Sequence, residues 1–187
     1  EALAAADRGA AAAAALRGFD PSSVEPEVAG RLGLALHAAG EGARARPLLQ
    51  RAADAGDPAA SRALAELALA SGDAEGAESF ARTAVARGGG SEALAVLAEV
   101  LRVEGRLGEA SRALSTAAEA EGGDPELLRR AVRLTPLDDA AELSRLADRL
   151  DALVEGDEAA RAARAWAELG RGHPGAVAPL SLEVIRE

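Results

Sequence analysis

Ala and Leu recur along the chain at spacings of three and four residues, with Arg, Glu and Asp between them. No stretch alternates apolar and polar residues between turn signals. The three-to-four period lines one face of a helix with apolar groups, and Ala, Leu, Arg and Glu are strong helix formers, so pattern and propensity agree on an all-α chain. Val is scattered and Ile occurs only at Ile185. Helix ends are written in as well. Asp20-Pro21, Glu25-Pro26, Asp57-Pro58 and Asp124-Pro125 each set an acidic side chain before a proline, which predicts a capping oxygen followed by Pro in the first turn. Gly40, Gly72 and Gly105 each close one periodic segment and precede another, as glycine does where a helix ends in a left-handed residue.

These glycines fall 32 and 33 residues apart, a period that marks an internal repeat. The first unit, 26–57, reads Ala29-x2-Leu32-Gly33-x2-Leu36, Gly40, Ala45-x3-Leu49 and Ala52. The second, 58–90, reads Ser61-x2-Leu64-Ala65-x2-Ala68, Gly72, Ala77-x3-Ala81 and Ala84, with Phe80 alongside. The third, 91–123, reads Leu94-x2-Leu97-Ala98-x2-Leu101, Gly105, Ala110-x3-Leu114 and Ala117. Each is expected to be two helices around a glycine turn. The small Gly33, Ala65 and Ala98 would let the helices of a pair approach closely, while Leu32, Leu64 and Leu97 fill the seam between pairs.

The pattern of small and large residues resembles the tetratricopeptide repeat across roughly residues 26–123. It departs from that family in bulk. Ala29, Ser61 and Leu94 stand where the family has large aromatic groups, and Leu49, Ala81 and Leu114 replace the aromatic of the second helix. With each buried methylene worth about 0.8 kcal/mol, stability leans on helix propensity and close backbone packing. The junction Ala52-Ala53-Asp54-Ala55-Gly56-Asp57-Pro58-Ala59-Ala60 is also similar to Sel1-like repeats, whose inter-helix loop is longer than Ser71-Gly72-Asp73 and which therefore rank second. The tetratricopeptide resemblance implies a right-handed α-solenoid of about eleven helices in one continuous domain, with atypical ends at 1–17 and 125–187. In those ends, 125–134 reads as a short helix stopped by Pro136. Residues 138–154 carry an apolar stripe of Leu143, Leu146, Leu150 and Leu153, 157–169 carry Trp166, and 174–186 read as the last helix. Pro47, inside a second helix, is harmless only if that helix starts near Ala43 or Arg44.

Composition narrows the chemistry. The 187 residues include no Cys, Lys, Asn or Met and a single Gln, so all side-chain basic charge apart from two His is Arg. Without Cys there are no disulfides or thiolate sites, and both cytoplasm and periplasm remain open as compartments. Met is missing even at position 1, so the sequence reads as a processed protein or as part of a longer one. The net charge of −10 and an aromatic content of 2% weigh against nucleic-acid binding, which needs basic and stacking groups. No apolar run reaches the roughly 18 residues a membrane span needs, so membrane insertion is not expected. His37 and His173 lie too far apart in sequence for a zinc motif, there is no nucleophile elbow, and no metal or cofactor is expected. Gly88-Gly89-Gly90-Ser91 lacks the lysine of a phosphate loop and reads as a turn.

What remains is a surface. Glu66 and Glu99 occupy equivalent places in neighbouring units, with Arg62 and Arg102 at helical spacing beside them. The bland account is a salt-bridged solvated face; the functional one is a surface that reads a partner. The positions that form the concave groove in the resembled family fall here on Arg31, Leu34 and His37, on Arg62, Glu66 and Leu69, and on Glu92, Glu99, Arg102 and Val103. A fourth unit in register would add Arg129, Arg130 and Arg133, a cluster of guanidinium forks suited to carboxylates. The Asn and Lys of the family's carboxylate clamp do not exist in this chain, so that chaperone role is not expected. The expected function is a non-enzymatic scaffold binding a protein or peptide segment. The competing expectation is a structural or regulatory module of a larger enzyme or envelope assembly, joined through its stack ends.

Overall fold

A computed structural model describes residues 23–173. Among these, nine helices follow one another: α1 (Pro26–Ala38), α2 (Gly42–Asp54), α3 (Pro58–Ala70), α4 (Ala74–Ala86), α5 (Gly90–Val103), α6 (Leu107–Ala120), α7 (Pro125–Leu134), α8 (Ala140–Leu153) and α9 (Glu158–Gly170). The count is nine, not eleven; the expected segments 1–17 and 174–186, and the Asp20-Pro21 cap, lie outside the described residues. Packing is sequential and consistent with an array of helical repeats. α1 packs on α2 and α3 on α4, as do α6 on α7 and α8 on α9. α2 also touches α3 and α7 touches α8. Alternate helices meet too, α1 with α3 and α7 with α9.

The helix ends largely follow the sequence. Asp57 accepts from the Ala59 and Ala60 amides, and Asp124 from that of Glu126. Glu25 is the exception: it precedes α1 but makes no side-chain cap, its extra methylene being why Glu is not among the favoured capping residues. Gly40, Gly72 and Gly105 have φ of 78°, 78° and 77°, the left-handed geometry that closes α1, α3 and α5. At all three closures the next residue donates back into the finished helix, from Glu41 to the Leu36 carbonyl, from Asp73 to that of Ala68 and from Arg106 to that of Leu101. Gly88-Gly89-Gly90 is a turn, with the Gly88 and Gly89 amides donating to the Val85 and Ala84 carbonyls. Pro47 departs from expectation. α2 begins at Gly42, so Pro47 is its sixth residue and withdraws a hydrogen bond from the Ala43 carbonyl. Both residues are exposed, and water can serve that carbonyl.

The chain divides into two compact units, 1–100 and 101–187, with the division inside α5. In the first, Leu36, Leu48, Leu49 and Leu64 are buried among Ala29, Ala45, Ala52 and Ala60, with Leu32, Leu34, Leu67 and Phe80 packed against them. Ala65, Ala68, Ala77, Ala81 and Val100 form a second cluster. Close approach of α1 and α2 depends on glycine at position 33: a Cβ added there would sit 2.8 Å from Leu49 Cγ and 3.1 Å from its backbone nitrogen. In the second unit, Leu114, Leu128, Leu143, Leu146, Leu150 and Val132 are fully buried. Leu153, expected to extend that stripe, is 45% exposed. It leans over the turn at Gly123, whose added Cβ would lie 2.9 Å from Leu153 Cδ2. No helix among the described residues is long and apolar enough to cross a membrane.

Candidate functional site

In the first unit, four of the sequence-selected residues form one line of linked polar groups. His37 lies in the last turn of α1, just before the Gly40 closure. Arg62 and Glu66 stand one turn apart on α3, and Glu92 lies in the first turn of α5. His37 Nε2 is 2.6 Å from Glu66 Oε2, Arg62 Nη1 is 2.7 Å from Glu66 Oε1, and Arg62 Nη2 is 3.2 Å from Glu92 Oε2. A carboxylate only accepts, so His37 donates from Nε2. Glu66 is therefore used at both oxygens and Arg62 bridges two acids, which joins α1, α3 and α5 through side chains alone.

The line is half open to water. The side chains of His37, Arg62 and Glu66 are 25%, 26% and 32% exposed, and that of Glu92 is 74%. Pairs at such exposure each contribute a few tenths to about 1 kcal/mol, so their stabilising effect is small. Their geometric effect is larger, because mutual pairing holds four polar side chains in place. Arg31 is exposed on α1 outside this line. Glu99 is half-buried further along α5, and Arg102 is exposed beyond the division of the units.

The second unit treats its arginines differently. Arg129, on α7, donates through Nε at 3.0 Å and Nη2 at 2.8 Å to Asp157 Oδ2. The Asp157 side chain is 4% exposed, and its other oxygen caps α9 by accepting from the Ala159 and Ala160 amides. Burial alone would push the Asp157 carboxyl up; the Arg129 hydrogen bonds, its charge and the two amides outweigh it and hold the group below the ordinary carboxylate value. Glu126 lies 3.4 Å from both Arg129 and Arg133, with Arg133 exposed and Arg130 half-buried. Arg129 is thus turned to Asp157 and Glu126 rather than held out beside its neighbours.

Further polar ties in this unit are absent from the sequence reading. The Ser111 and Thr135 hydroxyls meet at 2.7 Å in the interior, and Arg149 Nη1 donates to Ser115 Oγ at 2.6 Å and pairs with Glu119 at 2.9 Å. The signal for Asp157 was its place before a helix, which indicates a cap but not a buried partner 28 residues away. His173 is exposed, 3.1 Å from Glu168, and that bond together with Arg171 lowers the Glu168 carboxyl.

An open hollow at the start of α1 is lined by Glu25, Glu27, Ala52 and Asp57. Among the described residues no group of three or more His, Asp or Glu side chains is placed to hold a metal ion. No protein-family model matches the chain, and no curated protein matches it significantly.

Proposed function

We propose that the chain is a non-enzymatic interaction scaffold of right-handed, tetratricopeptide-like hairpins, and that it binds a protein or peptide segment. The binding surface in this reading is the face where α1, α3 and α5 present His37, Arg62, Glu66 and Glu92, with Arg31 and Glu99 of the same unit at its margins. One observation supports the proposal: the alternate helices α1, α3 and α5 bring charged and polar side chains into a single linked, partly exposed line. Side chains already ordered by one another lose less entropy when a partner arrives, and their charges select the partner more than they tighten it. In the second unit, Arg129 is engaged with Asp157 and Arg133 is exposed.

The test uses two matched swaps. Arg62→Glu/Glu66→Arg keeps an i,i+4 pair on α3 while inverting what that face presents. Arg82→Glu/Glu78→Arg does the same on α4, a second helix away from the line. Immobilised wild-type chain and both variants are used to capture proteins from the source cells, with circular dichroism confirming equal helicity. The expected result is a partner held by wild type and by the α4 swap but lost by the α3 swap. An identical captured set from all three would overturn the reading.

A further inference from the structure

We draw no further inference here: the strongest candidate, the exposed apolar surface of Leu137 before α8 and Leu169 in the last turn of α9 in the second unit, carries nothing because nothing in the structure shows what covers it.

Discussion

Both units tie alternate helices together with a polar pair spanning a little less than one repeat, and they place that pair at opposite depths. His37 of α1 reaches Glu66 of α3 across 29 residues, and both side chains keep about a quarter to a third of their surface in water. Arg129 of α7 reaches Asp157 of α9 across 28 residues, and the carboxylate is almost fully enclosed. The consequence differs with depth. A half-exposed pair adds little to folding and leaves its groups accessible, whereas an enclosed carboxylate depends on its partner because it has no water to return to. The second unit also encloses the Ser111–Thr135 pair and more of the large side chains, so its polar groups specify the fold. Those of the first unit are half enclosed and, in the proposed reading, available for recognition.

The largest effect expected from breaking this contrast is Arg129→Met, which leaves Asp157 buried without its cation. It should cost about 3 kcal/mol, the low end for a broken buried pair because Arg129 is itself partly solvated. Trp166, the single tryptophan, lies on α9 and reports on the second unit, so urea unfolding followed by its fluorescence reads the loss directly. Next comes Gly33→Ala in the first unit. The new Cβ meets Leu49, which is fully buried and has no room to give, and overpacking should outweigh the roughly 1 kcal/mol gained in helix propensity. A net loss of about 1 kcal/mol is expected, visible as a lower midpoint in circular dichroism.

Acid should produce a smaller loss than Arg129→Met, since a protonated Asp157 leaves no bare charge in the interior. Its folded carboxyl titrates below the ordinary value of 3.8, so its stabilising contribution is complete above that value and disappears as pH falls through the folded one. The Trp166 unfolding midpoint should drop over that acid range in wild type, and the part of the drop due to this pair should vanish in Asp157→Asn. The smallest effect belongs to Glu66→Gln. It removes the charge shared by His37 and Arg62 and should lower stability by less than about 1 kcal/mol in the same denaturation experiment.

How much could be read from the residues follows the same line between local and distant causes. The glycine closures, the Asp57 and Asp124 caps, and the helix period depend on neighbours within one turn, and they stand where the pattern puts them. Glu25 and Pro47 differ for local reasons as well: one methylene too many for a cap, and a helix that starts a residue or two early. Leu153 and Arg129 could not be placed by periodicity. Which side of a stripe lies over a turn, and which acid meets an arginine, depend on how one helix rotates against the next. His37, Arg62, Glu66 and Glu92 are legible in the sequence as groove positions of the resembled repeat and not as equivalent positions, and their pairing order emerges only with the backbone in place.

Enclosed polar ties hold the second unit together, while the open ones in the first add little to its stability. Double-mutant cycles on the two pairs, run side by side by urea unfolding, test this contrast most directly. The account predicts a coupling of about 2–3 kcal/mol between Arg129 and Asp157 and less than about 1 kcal/mol between His37 and Glu66. Equal couplings, or a larger one for His37 with Glu66, would contradict it.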